Sequence, residues 1–227
     1  MQTTRVPSRR LVHAAAGSVV AAALFSTPAM AAVTFYSSLA TFQAASTSTL
    51  EATFESINHE GGISDPYTEG RVTFSDPKNL YNARPGGPAD VSDFDVHLTS
   101  NVLTVSGNED ITMTFSGPAP TAIGFDSLTN RFDAPVVTVF DTANALIGTF
   151  MLTQGPSTLG FVGITSDVGI GSVHWLADRG GIKDTAIDNI RVGAAIPEPQ
   201  TYSLMLAGLG VLGFAASRQP RRRPTKQ

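Results

Sequence analysis

From Leu50 onward the chain repeats one device: short runs in which apolar and small polar residues alternate, cut by Gly, Pro, Asn and Asp. In Ile111-Thr112-Met113-Thr114-Phe115 the three apolar side chains share one face, because successive strand residues point to opposite sides. Val137-Thr138-Val139 and Ile187-Asp188-Asn189-Ile190-Arg191-Val192 read as half-buried strands of the same kind. The pattern predicts strands over 50–57, 71–75, 102–106, 111–115, 122–128, 136–140, 146–153, 160–165, 172–176 and 186–192. One short helix is expected at 38–45, where Leu39, Phe42 and Gln43 are spaced for a helical face. Asp141-Thr142-Ala143-Asn144 reads as a hairpin turn, and Ser116-Gly117-Pro118-Ala119-Pro120 as a second connection. About ten short strands with almost no helix predict a mainly β fold, an antiparallel β-sandwich of jelly-roll type. No repeat of fixed period is visible, which argues against a propeller or solenoid. The irregular stretches 58–68 and 76–100 are long enough to carry function.

The two ends break this pattern. Arg5, Arg9 and Arg10 precede an apolar run from Leu11 to Phe25, and Ala29-Met30-Ala31 follows as an A-x-A site. This is the build of a secretory signal peptide cut after Ala31, with Pro28 ending its helix just before the site. At the other end, Thr201 to Ser217 carries no charge, the shortest length expected to span a bilayer. Arg218, Arg221, Arg222 and Arg223 follow it as a basic stop that should stay cytoplasmic. Pro197-Glu198-Pro199 precedes it. Each proline fixes φ and removes a donor, so the tripeptide is an extended, stiff handle with one carboxylate. The expected organisation is a leader at 1–31, an extracytoplasmic domain at 32–195 and a tail signal at 196–223 with a transmembrane helix at 201–217.

Charge separates the middle from the ends. Residues 32–196 hold 7 of the 15 basic residues and 18 of the 19 acidic ones, a formal charge near −11. So acidic a surface argues against nucleic acid, whose phosphates need Lys and Arg. It suits cations, neutral glycans or plain solubility. The chain has no cysteine, which excludes disulfides, zinc thiolates and a cysteine nucleophile.

Candidate chemistry lies in the middle. Asp90-Val91-Ser92-Asp93-Phe94-Asp95-Val96-His97 is the densest polar cluster, and an extended backbone puts Asp93, Asp95 and His97 on one side. These carboxylates could hold Ca²⁺ or accept hydrogen bonds from sugar hydroxyls; the spacing is not that of an EF-hand. A solvated loop is the plainer alternative. Asp188, with Asn189, sits on the last strand as a further Ca²⁺ ligand or as an outward strand residue. No cofactor is required. Trp175, the single tryptophan, is either a core residue or a stacking platform for a sugar ring. Tyr67 and Tyr81, placed in long loops, are better located for a ligand. No G-x-S-x-G, no H-E-x-x-H and no distinguished carboxylate pair occurs, so an enzyme is not expected.

The leader at one end, with the P-E-P handle, apolar stretch and arginine cluster in order at the other, resembles the PEP-CTERM family of bacterial exported proteins. The resemblance covers about residues 196–223; the same tail is also known as an ice-binding protein C-terminal domain, a label that describes the tail and not an activity on ice. It implies recognition of Pro197, Glu198 and Pro199 by an exosortase, a membrane-embedded relative of cysteine peptidases. It further implies sorting to the envelope or exopolysaccharide. The segments Ala122-Ile123-Gly124-Phe125-Asp126, Gly160-Phe161-Val162-Gly163-Ile164 and Ala186-Ile187-Asp188-Asn189-Ile190 resemble jelly-roll ectodomains of that family, which look like carbohydrate-binding modules and legume-lectin sandwiches. The expectation is therefore a sorted envelope or matrix protein with a non-catalytic interaction or structural module. The alternatives are a Ca²⁺-supported carbohydrate-binding adhesin and, as a minor one, a glycoside-acting enzyme.

Overall fold

A computed structural model describes residues 31–92, 94, 97–105, 110–129, 135–152, 158–176, 185–197 and 199–217. Ala29 and the leader up to residue 30, Asp93, Asp95, Glu198 and Arg218, Arg221, Arg222 and Arg223 lie outside the described residues, while Ala31 is described.

In chain order the first elements are β1 (Val33–Tyr36), α1 (Leu39–Ala45), β2 (Ser46–Ala52), β3 (Gly61–Gly62), β4 (Tyr67–Glu69), β5 (Val72–Ser75) and β6 (Leu80–Ala83). Next come α2 (Pro88–Ser92), β7 (Val102–Val105), β8 (Asp110–Phe115), β9 (Ala122–Thr129), β10 (Val136–Asp141) and β11 (Leu146–Met151). The last are β12 (Thr158–Ser166), β13 (Ile170–Leu176), β14 (Ala186–Ala195) and α3 (Pro199–Ser217). One sheet runs β1-β12-β9-β14-β7-β6-β3, with β2 also paired to β14; the other runs β11-β10-β13-β8-β5-β4. All the registered pairs are antiparallel. The chain crosses between the sheets after β3, β5, β7, β8, β9, β11, β12 and β13, which gives the jelly-roll-like sandwich that alternation demands. The two irregular stretches contain short elements: 58–68 holds β3 and the start of β4, and 76–100 holds β6 and α2.

The inward faces meet in one core. Ile111, Met113, Val137, Val139, Val173 and Trp175 from one sheet pack on Ile123, Phe125, Val162, Ile164, Ile187 and Val192 from the other. Trp175 and Phe125 meet edge to face at 5.5 Å between ring centroids. The β10–β11 hairpin closes as the sequence implies: Asp141 Oδ1 accepts the N–H groups of Ala143 and Ala145, both at 2.8 Å, and Asn144 takes φ 61°. The Ser116–Pro120 connection differs from a hairpin, since it carries the chain from β8 into the opposite sheet.

The C-terminal stretch does form a helix, α3, exposed along its described side chains from Met205 to Phe214. Among the described residues, however, no helix is long and apolar enough to cross a membrane. The reason is composition. Pro199 to Ser203 is polar, and the apolar run from Leu204 to Ala216 extends only about 20 Å at 1.5 Å per residue. A bilayer core is about 30 Å thick. The expectation at 201–217 is met as to a helix and not as to one long and apolar enough to span.

Candidate functional site

The last strand brings a buried acid, Asp188, beside a half-buried one, Asp126. Ile187 and Ile190 both point into the core, three positions apart, so strict alternation fails between them. The strand absorbs the extra residue as a bulge: its register on β9 shifts between Asp188 and Arg191, and Asn189 takes φ 51°. A positive φ on a residue other than glycine is uncommon, and asparagine tolerates it best. Asp188 lies on the outer face of its sheet, directly opposite Asp126 of β9, and the 98–100 segment packed beside it leaves it only 6% exposed.

One amide then ties the two carboxylates together. Asn189 Nδ2 donates to Asp126 Oδ2 at 2.8 Å and to Asp188 Oδ2 at 3.1 Å. The Asn189 backbone N–H donates to Asp188 Oδ1 at 2.6 Å, and Ser100 Oγ donates to Asp188 Oδ2 at 2.6 Å. Burial pushes the Asp188 carboxyl up to about 6, against the hydrogen bonds from Ser100 and Asn189, with Asp126 and Glu55 adding like charge. Asp126 is raised as well, by burial first, with the Asn189 amide and Arg191 opposing. A strained residue beside raised acids in a cleft is the usual physical mark of a functional site. Size limits what it can hold. The cleft, lined by Leu98, Ser100, Leu159, Ile187 and the two acids among others, has a volume near 80 Å³. That is room for two or three waters at about 30 Å³ each, far below the roughly 300–1,000 Å³ of a small-molecule pocket.

Both shifts point the same way with pH. A carboxyl raised in the folded state binds its proton more tightly folded than unfolded, so its ionisation opposes folding. Stability from this pair is therefore lost as pH rises through about 6, and regained on acidification toward the ordinary carboxylate range. Thermal melts of the wild-type chain should rise between pH 7.5 and 5. Asp188→Asn should flatten that rise, since an amide there still accepts from Asn189 and can donate to the Ser100 hydroxyl. An unaltered slope in the variant would remove Asp188 as its source.

The other sequence-derived site residues land elsewhere. Trp175 is no exposed platform: it is fully buried, and its indole N–H donates to Thr185 Oγ1 at 3.1 Å. Tyr67 and Tyr81 lie on β4 and β6 rather than in loops, both half-buried. The Tyr67 hydroxyl donates to Glu69 Oε2 at 2.9 Å, and burial raises its pKa first. The Tyr81 hydroxyl reaches Glu60 Oε1 at 3.3 Å. Asp90 is buried and structural, accepting the backbone N–H groups of Leu98 and of Gly86; the Leu98 bond holds its carboxyl below the usual range. His97 lies 3.6 Å from it, exposed. Asp93 and Asp95, two of the three Ca²⁺ candidates, lie outside the described residues, and among the described residues there is no group of three His, Cys, Asp or Glu side chains that could hold a metal. Asp126 and Ser100 were not singled out from the sequence. Asp126 ends an alternating run on an outward position and was legible only through its partner across the sheet.

A second feature covers the outer face of the six-stranded sheet. Register aligns Thr68, Thr73, Thr114, Ser172 and Phe140 in one row across five strands. A parallel row holds Ser75, Thr112, His174, Thr138 and Thr149. Neither row contains a formal charge on Asp, Glu, Lys or Arg. The Phe140 and His174 rings stand 4.7 Å apart, and burial lowers the His174 pKa, with Asp110 opposing. The hydroxyl of Thr138 is buried and unpartnered among the described residues.

Comparison with known proteins finds the PEP-CTERM protein-sorting motif at residues 195–222. No curated protein matches the chain. The sandwich is similar to a family 29 carbohydrate-binding module solved as a variant complexed with cellulohexaose. There the identity is 14%, the coverage 66% of this chain and 94% of that one, and the TM-score 0.34. It is also similar to the family 11 carbohydrate-binding module of the cellulosomal cellulase Lic26A-Cel5E of Clostridium thermocellum. That match has 12% identity, 68% and 99% coverage, and a TM-score of 0.34.

Proposed function

We propose that this chain is an exported envelope or matrix protein, delivered by an exosortase, whose sandwich is a non-catalytic interaction module. The PEP-CTERM motif at residues 195–222 carries the reading, because such a motif implies export and sorting to the cell surface. Local structure supports the role of the handle. β14 ends at Ala195, the Ile196 N–H is fixed on Ala45 O at 2.8 Å, and Pro197 leaves the domain exposed. An enzyme can grip so stiff and accessible a segment with little ordering cost. The acids of the candidate site speak for a non-catalytic role. Asp126 and Asp188 are tied to one amide in a cleft too small for a sugar ring, whereas a glycosidase must seat its substrate between two free carboxyls.

The two hydroxyl rows favour a glycan as the partner. Each hydroxyl both donates and accepts, which matches a polyol, and rows without formal charge on an acidic domain suit a neutral polymer better than an anionic one.

One experiment tests both levels: intact mass of the protein recovered from its own cells, fraction by fraction. The expected species begins at Ala32, ends near Pro199 and is held in the extracellular polysaccharide. The same species washed free into the medium would leave sorting intact and overturn the glycan partner. A species running to Gln227 and confined to the membrane would overturn sorting.

A further inference from the structure

The two processing points of the chain meet at one place on the domain. Ala32 at one end and Ala195, Ile196 and Pro197 at the other line the same groove, of about 490 Å³. Thr121 joins its walls. Its N–H donates to Gly193 O at 3.1 Å, its carbonyl accepts the Ser166 N–H at 2.9 Å, and its hydroxyl accepts the Ala195 N–H at 2.9 Å. Between the walls stands Asp167. The Ala32 N–H donates to Asp167 Oδ1 at 2.8 Å, and the Asp167 N–H donates back to Ala32 O at 3.2 Å. The carboxylate is exposed, and among the described residues no lysine or arginine pairs with it. It holds the first residue ahead of β1, the edge strand of its sheet.

Resting on the reading that the leader ends at Ala31, we infer that Asp167 is the receptor for the α-ammonium of the mature protein. Hydrolysis of the Ala31–Ala32 bond consumes one water and leaves a carboxylate on Ala31 and an ammonium on Ala32. The nitrogen that donates to Asp167 as a neutral amide before cleavage then donates as a cation from the same place. A charge-assisted hydrogen bond is shorter and roughly twice as strong as a neutral one. Leader removal thus tightens the start of β1 on β12, at the rim from which the sorting handle departs. The precursor and the mature chain differ at that rim by one ion pair.

The test uses protein recovered from its own cells, wild type and Asp167→Asn. Its N-terminus is read by intact mass, its α-amine titrated by NMR after reductive ¹³C-methylation, and amide exchange followed over Val33–Tyr36. The mass should begin at Ala32. The wild-type amine should titrate above the ordinary range of about 7.7–8.0, and the variant's within it. Exchange over Val33–Tyr36 should be about threefold faster in the variant, the scale of one exposed ion pair. A precursor that keeps its leader through Ala31→Leu should show a smaller response to Asp167→Asn. A mature chain that begins at Ala32 with an ordinary, Asp167-independent amine would overturn this inference and leave export and sorting standing. A mass beginning elsewhere would overturn the inference and the leader reading together.

Discussion

Trp175→Ala should unfold most of this domain's stability and leave no selective binding defect. The indole is fully buried, packed edge to face on Phe125, and its N–H is spent on Thr185 Oγ1, itself fully buried. Truncating a buried tryptophan costs about 3–5 kcal/mol, against a total of about 5–15 for an ordinary domain. The carbonyl of Thr185 also accepts the Thr104 hydroxyl at 2.7 Å, so the loss reaches β7 in the opposite sheet. Trp175→Phe keeps much of the volume but strands the Thr185 hydroxyl, and should cost about 1–3 kcal/mol. Urea unfolding followed by circular dichroism measures both, since either substitution removes the single tryptophan. In the wild type all indole emission comes from this residue and should resist aqueous quenchers. A Trp175→Ala chain as stable as the wild type, yet released from the matrix, would return Trp175 to the role of a sugar platform.

Much of the sandwich was legible because alternation is a direct record of burial. Ile111 and Met113, or Val137 and Val139, point inward because the strand period allows nothing else, and each is fully buried. What escaped was what depends on a partner far away in sequence. Ile187 to Ile190 read as an ordinary half-buried strand, and only the pairing with the opposite strand shows the bulge and the placing of Asp188 against Asp126. The hydroxyl rows are invisible in any one strand. Each contributes one or two Thr or Ser of the ordinary outward kind, and the register of six strands makes the lattice. The tail shows the converse. Its lack of charge was plain, but the length of the apolar run depends on where it starts, and Thr201, Tyr202 and Ser203 stand ahead of it. The handle and its exit were the clearest part, because proline chemistry is local.

Gly163→Ala should lift α1 off the sheet. Gly163 and Gly124 face each other across β12 and β9, and the Phe42 and Phe161 rings lie over the pair. A Cβ on Gly163 would come within 2.8 Å of Phe42 Cδ2 and 2.9 Å of Phe161 Cε1, closer than carbon atoms tolerate. Phe42 has no room to yield. It is fully buried, its N–H is bonded to Ser38 O at 3.1 Å, and its carbonyl accepts the Ser46 hydroxyl at 2.8 Å. Overpacking of this kind costs about 1–3 kcal/mol. The strain should spread along a defined path, because α1 ends at Ala45, whose carbonyl fixes the Ile196 N–H beside the sorting handle. Amide exchange should therefore quicken across Leu39–Ala45 and at Ile196, while the β10–β11 hairpin stays at its wild-type rate. Phe42→Leu in the Gly163→Ala background should recover part of the loss, a coupling expected only of residues in contact. A Gly163→Ala chain with wild-type exchange at both places would mean that α1 does not rest on these glycines.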